Sequence, residues 1–217
     1  MTNKVLRAAL GVTMLVIGGC LAVSGAILSA VAGPDDTMRT GYHPVTAGSR
    51  ALVARAANIS PGAVPHGFGD FTLRINVRSA DKPVFIGVTP DAAAESYLSG
   101  AAVRTVRGLE LWPYKLHAAD TQGTATPPPP GNESFWVASA DGGSPQLTWN
   151  VTNGNYRVVI MNHDASPGLT TEVRYALTIP WLFEIGIGSL ALGGVIGIPG
   201  LVLLVGTVRG HRSQISV

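Results

Sequence analysis

The chain has 217 residues, 46% of them hydrophobic and only 13% charged, with a formal net charge of +2 at pH 7. Lys4, Arg7, Arg209 and Arg212 lie at the chain ends, and the eleven basic residues between them face twelve acidic ones before Glu184, so the middle offers no concentrated basic face and a nucleic-acid-binding domain is excluded. The single cysteine, Cys20, rules out an internal disulfide, while about 145 residues between two apolar segments suffice to bury a core without bridges or metals.

Residues 1–7 form a short basic N-terminus, and Ala8–Ala32 is a run of 25 residues without a charge, long enough as a helix to cross a hydrocarbon core of about 30 Å. Val16-Ile17-Gly18-Gly19-Cys20 after a basic start has the form of a bacterial lipobox, which makes Cys20 a candidate for lipidation with cleavage before it. Against cleavage, Leu21 to Ala32 stays apolar where a lipoprotein turns polar, so an uncleaved helix over 8–32 is the reading adopted. Gly18, Ala22, Ala26 and Ala30 recur at four-residue spacing and predict a close-packing helix face.

Residues 33–180 read as a β domain. Gly33 to Thr46 is an extended lead, and Ala51 to Ile59 is a strand despite the poor strand propensity of alanine. Ser60 to Gly69 is a loop. Phe71, Leu73, Ile75 and Val77 alternate with polar residues, which predicts one buried and one solvated face. Asp81-Lys82-Pro83 turns into Val84 to Val88, apolar on both sides and therefore central. Thr89 as cap, Pro90 at the first helical position and Asp91 beside the positive end predict a short helix that ends by Gly100. Ala102 to Leu111 returns as a strand closed by Trp112-Pro113. Residues 117–133, with four consecutive prolines from Pro127 to Pro130, predict a stiff polyproline surface loop, a proline-recognising partner being the alternative.

From Ser134 to Gly168 three β-rich runs alternate with turn signals. Leu147, Trp149 and Val151 share a face, and Asn153-Gly154 predicts a two-residue hairpin that continues it through Tyr156, Val158 and Ile160. Leu169 to Ile179 is a last strand. Roughly eight short strands and one short helix predict a membrane-anchored all-β protein, an antiparallel β-sandwich of jelly-roll or immunoglobulin-like type flanked by two transmembrane helices.

The second apolar segment occupies residues 181–208. Trp181 fits an interfacial anchor, Glu184 can reach water within one turn of the boundary, and Pro199 predicts a kink. Ser189, Gly193 and Gly197 form a second small-residue face, fit to pack on the first helix or on a partner's helix. Residues 209–217 are a basic tail. Basic flanks at both chain ends place both termini in the cytoplasm and the β domain on the outer side of the plasma membrane.

Neither G-x-S-x-G, H-E-x-x-H nor G-x-x-x-x-G-K-[ST] occurs, so no catalytic residue, cofactor or enzymatic activity is predicted. His43, His66, His117 and His163 lack paired ligand spacing, and no metal is expected. Asn162-His163-Asp164-Ala165-Ser166-Pro167-Gly168 is the richest polar cluster, and Asx-turn chemistry accounts for it. Trp149 shares the Leu147 face and is assigned to the core. Trp112 and Trp136 are the candidate ligand-binding residues, since aromatic faces stack on sugar rings and flat apolar groups.

The strings FIGVTPDAAAESYLSGAAVRTV from Phe85 and FWVASADGGSPQLTWNVTNGNYRVVIMNHDASPG from Phe135 resemble segments of actinobacterial, mycobacterial-type membrane proteins with two terminal helices. The resemblance implies such a source and a cell-envelope setting, and brings no activity, catalytic residue or ligand. Where that pattern reads A-D-G-S after its Met-Asn pair, this chain has His163-Asp164-Ala165-Ser166, which points to a turn rather than a shared polar site. The functional expectation is a non-enzymatic accessory protein, seated in the lipid bilayer, that presents its β domain to another membrane or envelope protein or to a second copy of itself. The alternative is an envelope glycan- or lipid-binding protein.

Overall fold

A computed structural model describes residues 2–59, 71–111 and 114–212. The chain divides into two compact units, one formed by the chain ends up to Met38 and from Ile179 on, the other by Arg39–Thr178. Residues 60–70, expected to be a loop, and the Trp112-Pro113 turn lie outside the described residues.

The β unit and its approaches contain β1 (Thr37–Arg39), β2 (His43–Ala47), β3 (Ala51–Ile59), β4 (Thr72–Ser79), β5 (Val84–Pro90), β6 (Val103–Leu111), β7 (Tyr114–Thr121), β8 (Ala138–Gly142), β9 (Gln146–Asn150), β10 (Gly154–Asn162) and β11 (Leu169–Thr178). They form a five-stranded sheet in the order β1-β11-β4-β9, with β2 also on β11, and a six-stranded sheet in the order β7-β6-β3-β10-β5-β8. One buried cluster draws Val45, Ile75, Val77, Leu147, Trp149, Leu169 and Val173 from the first sheet and Leu52, Val84, Ile86, Val88, Val158 and Ile160 from the second. Period-2 alternation sends the intervening residues of the larger sheet outward, where Ala51, Val53, Phe85, Val159 and Met161 meet Ala94 of the short helix α2 (Asp91–Tyr97) and Leu98 just beyond it in a second buried cluster. The central strands of the larger sheet are thus buried on both faces over much of their length, and β5 is indeed an interior strand flanked by β10 and β8.

Four expectations are corrected. The Asn153-Gly154 pair does not close a hairpin: β9 pairs with β4 in one sheet, whereas β10 pairs with β3 and β5 in the other. Asn153 lacks the positive φ that a type I′ turn requires, and Gly154 alone of the pair adopts one, at 136°. Leu147 and Trp149 therefore enter the core from one side and Val158 and Ile160 from the other, with Trp149 and Tyr156 meeting at 5.0 Å. Second, the sheets are not wholly antiparallel, because β3 and β6 run parallel. The β5-α2-β6 crossover over the larger sheet produces that direction. Third, His117 to Thr121 belong to β7, an edge strand on β6, so the proline-rich connection begins at Gln122. Fourth, Thr89 does not cap α2. It lies within β5 with its hydroxyl on the Phe135 carbonyl, and Pro90 occupies the cap position without a side-chain hydrogen bond.

The terminal unit consists of α1 (Thr2–Ala32) and α3 (Leu182–Arg212), whose apolar windows Val5–Ala32 and Leu182–Thr207 are long enough to cross a membrane. Their mutual seam is closed by glycine against backbone. A Cβ on Gly18 would lie 2.5 Å from the Gly197 nitrogen, one on Gly193 2.5 Å from the Ala22 nitrogen, and one on Gly25 2.5 Å from the Gly186 oxygen. Ser189 Oγ donates to the Leu21 carbonyl across the seam at 3.2 Å. Gly18, Ala22, Ser189, Gly193 and Gly197 lie in or beside it, whereas Ala26 and Ala30 are exposed and the buried α1 positions are Gly11, Gly18, Gly25, Ser29 and Ala32. A four-residue repeat advances about 40° too far per step on a 3.6-residue helix, while alternating steps of three and four hold one line.

A second device joins the helix ends. Asp36, at φ 55° just beyond α1, accepts the amide hydrogens of Trp181 and Phe183 on its carboxylate oxygens at 3.0 and 2.8 Å, and its carbonyl accepts that of Ile179. It serves as a side-chain cap for the first turn of α3, where amide hydrogens have no partner within the helix.

Candidate functional site

A cavity lies between the two sheets. It measures about 290 Å³ and is walled by Leu52 and Ala54 of β3, Leu73 and Ile75 of β4, Val158 of β10 and Tyr175 of β11. Its existence follows from small residues on the larger sheet: Ala54 presents one methyl where the layer opposite offers Leu73 and Ile75, and Gly108 none. Strand β6 also departs from regular pairing between Val106 and Gly108, and the Val106–Gly108 stretch lines the cavity.

Two arginine residues line this cleft as well. Arg55 and Arg107 line both the apolar cleft and a polar recess of about 370 Å³ that Thr105 and Arg157 complete. Both are exposed, and neither has an ion pair or hydrogen bond with a described residue. Arg157 differs. It pairs with Asp91 and, at 2.6 Å, with Glu95 on α2, and the hydrogen bond it donates to Asp91 leads the effects that raise its pKa above the ordinary value. Arg55 stands opposite Arg157 in the β3–β10 register. The arrangement suits a group with one apolar chain and a negative head.

Trp136 lies elsewhere, on the outer face of the larger sheet. Its ring contacts Phe135, Phe85 and Tyr97 at centroid distances of 4.6, 5.0 and 5.7 Å, and its indole N–H donates to the Pro130 carbonyl at 2.9 Å. The ring rests on Gly87, where a Cβ would come within 2.3 Å of it. The proline run lies in the same layer: Tyr97 Oη donates to the Pro128 carbonyl at 2.6 Å, and Pro127 and Pro130 are buried. Burial, helped by the charge of Glu133, raises the Tyr97 pKa well above that of free tyrosine, so the phenol stays a donor. Trp112, the other aromatic candidate, lies outside the described residues.

The Asn162–Gly168 cluster spends its polar groups on its own turn. Buried Asn162 donates from Nδ2 to the Ser166 carbonyl at 3.0 Å, Asp164 Oδ1 accepts from the Ser166 amide and hydroxyl at 3.0 and 2.5 Å, and Ala165 takes φ 55°. Those bonds, the hydroxyl first, hold the Asp164 carboxyl below its ordinary pKa. His163 Nδ1 meets Asp141 at 2.5 Å. Among the described residues no group of three His, Cys, Asp or Glu side chains is placed to hold a metal ion. Cys20 is exposed on α1.

Sequence reasoning missed the cleft and its arginines. The available signal was the alanine content of Ala51–Ile59, which weakened the strand assignment and in the structure leaves the space. No protein-family model matches the chain, and a search of curated proteins returns no match.

Proposed function

We propose that this protein is a non-enzymatic accessory or structural membrane protein that presents an extracytoplasmic β-sandwich to another membrane or cell-envelope protein, with both termini in the cytoplasm. The observation that carries this reading is the glycine-closed pairing of α1 and α3, which makes the chain ends one apolar anchor whose spanning windows are only 11% buried within the protein. The remaining apolar surface is available to lipid and to helices of a partner, and small-residue seams are a common means of association where lipid supplies no hydrophobic drive. Ion pairs within the β unit join Arg104 to Asp120 and Arg157 to Asp91 and Glu95. Purification in mild detergent after crosslinking in cells tests the reading: a reproducible protein partner or second copy is expected, and a strictly monomeric protein with no crosslinked partner overturns it.

The sandwich reading extends to a jelly roll. Setting aside the three-residue β1, and α2, β6 and β7 as an insert between β5 and β8, the remaining strands form two four-stranded antiparallel sheets, β2-β11-β4-β9 and β3-β10-β5-β8, and every connection among them except β5 to β8 changes sheet. That alternation supports a jelly roll over an immunoglobulin-like sandwich. Lipid binding is a second reading, favoured over glycan binding by the apolar lining of the inter-sheet cleft.

A further inference from the structure

We infer that the inter-sheet cleft is a binding site for a single-chain anionic amphiphile, its apolar chain between the sheets and its phosphate head on Arg55 and Arg107. This stands whether or not a partner protein docks on the β unit. Three observations converge. The walls are Leu52, Leu73, Ile75 and Val158, so a chain meets hydrocarbon on both sides, and at about 290 Å³ the cleft sits at the lower end of small-molecule sites, about 300–1,000 Å³, fit for one chain rather than two.

The space depends on Ala54, since larger side chains at this inward position would occupy it. The charge is placed to match. Arg55 and Arg107 are the lining cations without a described partner, and they stand at the junction of the apolar cleft with the polar recess. Arg157, the third cation there, is already engaged by Asp91 and Glu95. A phosphate offers several acceptor oxygens to two planar guanidinium forks, whose charge-assisted bonds are about twice as strong as neutral ones. A sugar would instead require convergent neutral donors and acceptors, and the cleft walls are mainly aliphatic.

The test uses the full-length protein in lipid nanodiscs with palmitoyl lysophosphatidic acid carrying a photoactivatable group in its chain. The comparator carries the same chain on a phosphocholine head. Wild type is expected to be labelled on β3, β4 or β6 peptides, at least about tenfold more by the anionic probe, the discrimination given by charge-assisted bonds. A54F is expected to abolish that labelling without lowering the melting temperature. R55Q/R107Q, changed at exposed positions, is expected to reduce the anionic probe's labelling about tenfold, to the level of the zwitterion. The double variant keeps the test decisive if A54F fails to fold. Labelling confined to α1 and α3, equal labelling by both head groups, or undiminished labelling of R55Q/R107Q overturns the inference.

Discussion

Replacing Trp136 separates a packing role from a surface one. A fully buried Trp→Ala change costs about 3–5 kcal/mol, and the half-buried ring of Trp136 places it near the lower end, at about 3 kcal/mol. Of that, the indole hydrogen bond to Pro130 contributes about 1 kcal/mol, and the contacts with Phe85, Tyr97 and Phe135 about 0.5–1.5 kcal/mol each. W136F keeps a ring over Gly87 and loses the hydrogen bond, so it should cost about 1 kcal/mol. For a unit of this size the corresponding drops in melting temperature are about 10 °C for W136A and about 3 °C for W136F. Thermal melts followed by far-ultraviolet circular dichroism in nonionic detergent measure both. A W136A protein as stable as wild type, or a W136F loss equal to that of W136A, would refute the assignment of Trp136 to the packed layer between the proline run and the larger sheet.

Other perturbations probe other contacts. G193L drives a side chain into the Ala22 backbone, whereas A26L points away from the seam. The first should destabilise the hairpin by about 1–3 kcal/mol and widen spin-label distances between α1 and α3, and the second should leave them unchanged. D36A removes the cap on Trp181 and Phe183 at a cost of about 1 kcal/mol, seen as about fivefold faster hydrogen exchange at those amides, with D36N milder. Asp164 has its folded pKa lowered, so its contribution to stability is present above the unfolded value of about 3.9 and is lost as pH falls through the lower folded value. In urea titrations across that acid range D164N should flatten the pH dependence of the midpoint, and an unchanged slope would contradict the Ser166 assignment.

Sequence patterning reads faces far better than it reads sheets. The alternation in Phe71–Val77, Leu147–Val151 and Tyr156–Ile160 marks which side chains are buried, and Ile75, Leu147, Val158 and Ile160 are. Whether two such runs bury that face in one sheet or from opposite sheets is decided by long-range pairing, which local periodicity does not encode. The same limit applies to the parallel β3–β6 pair, fixed by a crossover through α2. Strand β7, YKLHAADT, carries polar residues at an edge and so lacks a clean alternation. On the helices the small residues were visible, but choosing among overlapping sets required the seven-residue line Gly11, Gly18, Gly25 and Ala32 rather than the four-residue one. The Asp36 cap joins residues 145 and 147 positions apart, and the cleft arises from what Ala54 does not fill.

The central proposal is that the helical hairpin holds the β unit on the outer side of a membrane. Single cysteines in a Cys20→Ser background, at Gly143 in the β unit, where an added side chain meets open space, and at Thr2 and Val217 near the termini, report the arrangement through a membrane-impermeant thiol reagent. The account predicts that Gly143→Cys reacts in intact cells while the two terminal sites react only after permeabilisation. Labelling of the termini in intact cells with protection of Gly143→Cys, or termini on opposite sides, would contradict it.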